Sequence, residues 1–132
     1  MGKLLKILMT IVALAGLTTA ASAQQGFRPI DVTNWKPENS ETPLDLIASL
    51  YKGFPEALEG KPKVNINLTK NEDGKSFLIR LEMTGYLDDH TDGERYRAVV
   101  VRDGDKWRLK SLGKQWKCYR GSNKGWHTKI CP

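Results

Sequence analysis

Both cysteines of this 132-residue chain fall within its last stretch, "GKQWKCYRGSNKGWHTKICP", as Cys118 and Cys131. The same stretch holds Trp116, Tyr119, Trp126, His127 and five lysines or arginines, with no acid. Three chemistries compete for such a set. Zinc would draw on Cys118, Cys131, His127 and His90, but the closely spaced cysteine pair of compact zinc sites is missing. A thiol nucleophile needs a free sulfur. In an oxidising compartment two cysteines pair, and a Cys118–Cys131 bridge closes a loop of about fourteen residues, worth ~3 kcal/mol on the chain-entropy account. The expectation is a disulfide, with no metal and no cofactor. Inside that ring, Trp126 reads first as covering the ring's underside. The alternative makes Trp126 and His127 ligand contacts, one stacking and the other hydrogen-bonding.

Charge is the second signal. From Lys106 onward the chain carries eight lysines or arginines and no acid, whereas the segment from Gln24 to Asp105 is net negative. That asymmetry points to an anionic partner. Lys106, Arg108 and Lys110 alternate with Trp107 and Leu109, so a strand would put the three cations on one outward face. With Lys117, Arg120 and Lys124 they make the candidate anion-binding set. The competing reading is a solvated face that discourages edge pairing. No nucleic-acid motif is present, so the expected partner is an anionic cell-envelope component or an acidic protein.

Catalytic patterns are scarce. The chain lacks a nucleophile elbow, a phosphate-binding glycine loop and a His-Glu-x-x-His helix, so no catalytic residue is assigned. His90, in "DDHTDG", reads as part of a polar turn. The Asp88, His90, Asp92 alternation lacks the final glutamate of a calcium loop, where Val99 stands. Glu82 and Glu94 form a carboxylate pair only if strand register brings them together.

The elements that must position these residues follow from periodicity. "TPLDLIASLYKGFP" predicts a helix: Thr42 suits the N-cap, Pro43 the first turn, and Asp45 a capping box. Leu46, Ile47, Leu50 and Tyr51 give it one apolar face, and Gly53 and Pro55 end it. From Lys63 the period becomes two, in "KVNINLTK", "SFLIRLEMTG", "ERYRAVVVR" and "KWRLKSLGKQWKCY", with Asp-Gly turns in "NEDGK" and "DGD". A bend is expected near Ser111 to Gly113. Residues 42–132 then read as a single α+β domain, one N-terminal helix packed on a curved four-stranded antiparallel sheet, with a disulfide-closed tail. This order is similar to cystatin-like and nuclear-transport-factor-like architectures. Residues 24–41 form an N-terminal arm, with Ile30, Val32 and Trp35 as anchors.

Residues 1–23 have the layout of a cleaved secretory signal: Lys3 and Lys6, an apolar run from Ile7 to Ala15, and Ala21-Ser22-Ala23. The run is shorter than the ~20 residues that span a bilayer. A secreted or periplasmic protein is expected. "GKQWKCYRGSNKGWHTKIC", with the preceding "GERYRAVVVRDGDKWRLKSLG", resembles the tail of small secreted bacterial proteins of uncharacterised function. Their pattern runs Gly, basic, Gln, aromatic, basic, Cys, a turn, Trp and Cys. They often carry a histidine after the turn glycine, where this chain has "SNKG", and the resemblance implies no activity. The leading expectation is a non-enzymatic binding or inhibitory domain holding an anionic partner through its basic C-terminal face. The alternatives are a small enzyme with a pocket between helix and sheet, and a structural envelope protein. Free thiols or a stoichiometric bound ion in the mature protein would overturn the disulfide reading.

Overall fold

The computed structural model describes residues 26–54, 60–86, 90–119 and 125–132. The expected signal segment, 1–23, and most of "PEALEG" lie outside them. Six strands form one antiparallel sheet: β1 (Arg28–Ile30), β2 (Gly60–Lys70), β3 (Ser76–Tyr86), β4 (Thr91–Asp103), β5 (Lys106–Cys118) and β6 (Gly125–His127). The four long strands follow one another as a meander, ending at β5. The short strands share β5's other edge: Arg28–Ile30 pairs with Lys114–Leu112, and Gly125–His127 with Cys118–Trp116.

This corrects the expected helix-on-four-strands architecture. A 3-10 turn, Pro43–Ile47, runs into a single α-helical turn, α1 (Ala48–Tyr51). The capping box forms as the sequence implies, Thr42 with Asp45, and the Thr42 amide donates to Asp45 Oδ2 at 2.8 Å. But Lys52 is already extended and Gly53 takes φ +84°, so the element stops after nine residues. At 1.5–2.0 Å rise per residue, nine residues span roughly 15 Å, too little to cover strands of roughly 40 Å. A sheet wrapped around a helix, the cystatin-like or nuclear-transport-factor-like arrangement, is therefore not what forms. The short turn Pro43–Tyr51 and the irregular arm before it do the covering instead.

Period-two alternation divides the sheet. One face carries Ile79, Leu81 and Met83 of β3, Tyr96, Ala98 and Val100 of β4, and Leu109 and Leu112 of β5. Leu46 and Ile47 close over it, with Ile30, Val32, Trp35, Leu50 and Phe54 packed around them. The arm is pinned by hydrogen bonds as well as by packing. Trp35 Nε1 donates to the Leu46 carbonyl at 2.7 Å, and the Trp107 amide donates to the Ser40 carbonyl at 2.9 Å. Trp107 lies on this face too, edge-on to Phe77 with centroids 5.5 Å apart. The bend in β5 is a bulge: Val99 faces Ser111 while Val100 faces Leu109, so Lys110 is the extra residue.

Cys118 and Cys131 form a disulfide, joining the end of β5 to the segment after β6. Such a bond belongs to an oxidising compartment. Among the described residues no helix is long and apolar enough to cross a membrane.

Two tests follow. Replacing both cysteines by serine should lower unfolding stability by about 3 kcal/mol, read as a lower denaturant midpoint. Gly85 has φ +82°, and a Cβ there would stand 1.8 Å from the Lys61 carbonyl oxygen. Gly85→Ala should therefore cost more than about 2 kcal/mol by the same measurement.

Candidate functional site

The β5 cations are spread along the strand. Lys106 pairs with Glu41, whose hydrogen bond and charge raise the lysine's pKa. Arg108 Nε lies 3.9 Å from Asp103, and Lys117 Nζ lies 3.2 Å from Asp92. The bulge takes Lys110 out of alternation, and it lines two shallow grooves of about 570 and 500 Å³ that meet at Trp107, Arg108 and Lys110. Lys106 and Lys117 are separated by roughly 35 Å of extended strand. They stand at opposite ends of β5. Arg120 and Lys124 lie outside the described residues.

The face opposite the core brings together residues that the sequence reading left unassigned. Register sets Arg80 of β3 directly across from Arg97 of β4, and Glu82 across from Arg95. Continuing outward, Arg95 faces Gln115, Arg97 faces Gly113, and Gly113 faces Pro29 of β1. Aromatic rings arrive from both short edge segments. Phe27, beside β1, lies 4.8 Å from the Arg97 guanidinium and 5.4 Å from that of Arg95. Trp126 of β6 lies 4.5 Å from Arg95. Arg95 Nε also donates to Gln115 Oε1 at 2.7 Å, and Gln115 donates to the Gly26 carbonyl.

Aromatic faces hold guanidinium planes by cation–π attraction while leaving edge N–H groups directed outward. The core-covering segments lie on the other side, and no described helix packs on this one. Arg80 is exposed, and Arg95 and Arg97 are half-buried. Partial burial lowers the pKa of Arg95, which still leaves a guanidinium charged at neutral pH. Arg108, opposite Val101, continues the same alternation toward the far end of β4 and β5. The result is a basic, aromatic-backed surface able to grip carboxylates or phosphates by paired N–H donors. Alternation in "SFLIRLEMTG" and "ERYRAVVVR" put these arginines on a wet face; their juxtaposition required register.

Of the two predicted ligand contacts, Trp126 belongs to this surface. His127 pairs with Trp116 in register, one residue along. His90 bonds through Nδ1 to the Pro132 carbonyl oxygen at 2.7 Å, which ties the β4 entry to the last residue. Glu82 and Glu94 stand on opposite faces, because Glu82 faces Arg95 while Glu94 faces Met83. They are not a catalytic pair. Among the described residues no group of three or more His, Cys, Asp or Glu is arranged to hold a metal ion.

A second polar cluster sits at the margin of the core face. Tyr96 Oη donates to Glu94 Oε2 at 2.9 Å, and Lys114 Nζ lies 2.9 Å from the same oxygen. The ammonium also stands 5.2 Å from the Tyr96 ring and 4.8 Å from the Trp116 ring. Burial, then the Glu94 charge, pushes the Tyr96 phenol far above its ordinary pKa of 10.0, and the same causes raise Tyr86. A phenol held neutral and a carboxylate already neutralised by lysine make a cross-strand lock, not an activated nucleophile. Because folding raises these pKa values, the stability they contribute is complete below about pH 10 and is lost as pH rises beyond it. The denaturant midpoint should fall above about pH 10, and fall less steeply in Tyr96→Phe.

No family model, curated protein sequence or solved structure matches this chain, so its functional reading rests on the geometry above.

Proposed function

We propose that the protein is a non-enzymatic binding module, exported and processed after Ala23, that holds an anionic polymer of the cell envelope on its arginine–aromatic face. Export is supported by the signal-like first residues, by the disulfide, and by the tail's resemblance to small secreted bacterial proteins. Binding is supported above all by one observation: Arg80 and Arg97 face each other directly across β3 and β4 on a face that no described helix covers. Like charges in that relation destabilise a sheet, by a few tenths to about 1 kcal/mol. An anion bridging them gains charge-assisted hydrogen bonds from both guanidinium groups. Phe27 holds the Arg97 guanidinium and, with Trp126, that of Arg95, so less side-chain freedom is lost on binding.

Glycan polymers bearing carboxylates or phosphates suit this surface, because they repeat charge along an extended chain and offer sugar faces to Trp126. Lys106, Arg108 and Lys117 extend the positive field along β5 even though each has an acidic neighbour, since exposed ion pairs remain open to competing anions.

Retention of the mature protein on immobilised acidic polysaccharide tests this reading. Wild type should bind at low ionic strength and weaken as salt screens the contact. Arg80→Gln/Arg97→Gln should lose about tenfold in affinity. Lys36→Gln/Lys52→Gln, with the same change in net charge, should lose much less. Lys106→Gln/Arg108→Gln/Lys110→Gln should fall between them. Equal retention of wild type and the double arginine variant would sink the proposal, and preferential capture by an acidic protein column would redirect it.

A further inference from the structure

The two edges of the sheet are treated differently. On β5, residues Leu112–Lys114 and Trp116–Cys118 are paired by β1 and β6. β2 pairs with β3 alone among the described residues, and its register with β3 is unbroken from Lys63 to Lys70. That outer edge is long. Pro62, Lys63 and Lys70 guard its ends, but Val64, Asn65, Ile66, Asn67 and Leu68 between them carry no charge. Val64 and Leu68 are 36% and 42% exposed on the core side of the sheet, with Ile66 half-buried between them. An uncharged edge of this length is a template for another strand.

We infer that the outer edge of β2 pairs antiparallel with β2 of a second copy, centred on Ile66, to make one continuous sheet across a two-fold axis. The strand is self-complementary in this arrangement. That register sets Val64 against Leu68 of the second copy, Ile66 against its counterpart, and Asn65 against Asn67. Every apolar side chain therefore meets an apolar one, and the asparagines meet on the opposite face. Charges agree as well. Lys63 falls opposite Thr69 and Lys70 opposite Pro62, so no lysine of the paired strands meets a lysine. Moving the axis to Asn67 sets Lys70 against Val64 and loses this match. A two-fold contact of this kind closes on itself, so it yields a dimer rather than a fibre.

Sedimentation velocity over a concentration series, with the disulfide intact, tests the pairing. Wild type should shift from monomer to dimer as concentration rises. Leu68→Lys acts twice in a two-fold interface, beside Val64 at both ends, and should raise the dissociation constant at least about tenfold. Val64→Glu/Leu68→Lys puts a glutamate of one copy against a lysine of the other and should restore dimerisation toward the wild-type level. Both positions are exposed, and far-UV circular dichroism checks that the variants fold. If they do not, hydrogen exchange of wild-type β2 amides should slow with protein concentration while that of β5 amides stays constant. A wild-type monomer at every concentration, a dimer indifferent to Leu68→Lys, or no recovery in the double variant would overturn the inference.

Discussion

The fold depends on closing the outer edge of β5. An edge strand leaves a row of backbone donors and acceptors without partners, and here two three-residue strands from distant parts of the sequence take up that row side by side. Each short strand then delivers something else. β1 starts the segment that carries Val32, Trp35, Leu46 and Ile47 across the apolar face. β6 carries Trp126 to the other face, and the disulfide beyond it ties the tail to the end of β5. Three residues of ladder cannot hold a terminus alone. Burial supports the first, covalent closure supports the second.

That arrangement explains how a small domain manages with so little helix. Its core is one sheet face covered by the short turn Pro43–Tyr51 and the irregular arm before it, and irregular chain leaves backbone groups to satisfy. Trp35 Nε1 on the Leu46 carbonyl and the Trp107 amide on the Ser40 carbonyl meet that need where the arm crosses the sheet. The opposite face carries Leu78, Val99 and Val101 at one end and the arginines toward the other. Of these, Arg95 and Arg97 are oriented by Phe27 and Trp126, both of which arrive through the segments that close β5. The edge closure and the arginine–aromatic surface are thus one piece of construction.

The cationic tail and the folded surface differ because charge neutrality is local. The eight basic residues from Lys106 onward look like a single positive block in one dimension. In the fold, Glu41, Glu94, Asp92 and Asp103 come from the acidic part of the chain to stand beside Lys106, Lys114, Lys117 and Arg108. A further group of cations lies where β3 and β4 set their arginines together, outside the stretch that composition alone singled out. Arg80 and Arg97 are seventeen residues apart in the chain and direct neighbours in the sheet.

Alternation by itself determined which residues of the four long strands share a face, because consecutive side chains of a strand point to opposite sides whatever the strand pairs with. The Asp-Gly turns, the capping box at Thr42 and the pairing of the only two cysteines were likewise local or combinatorial facts, legible from the letters. What only the tertiary structure decided was register and closure. The short strands at Arg28–Ile30 and Gly125–His127 have too few residues to show a period, and they become strands because β5 offers them a ladder. The helix was overestimated because an apolar stripe at helical spacing does not reveal where Gly53 turns the chain away. Glu82 and Glu94 parted, and Arg80 and Arg97 met, through the pairing of β3 with β4, a long-range choice set by how whole faces bury rather than by any residue's own preference.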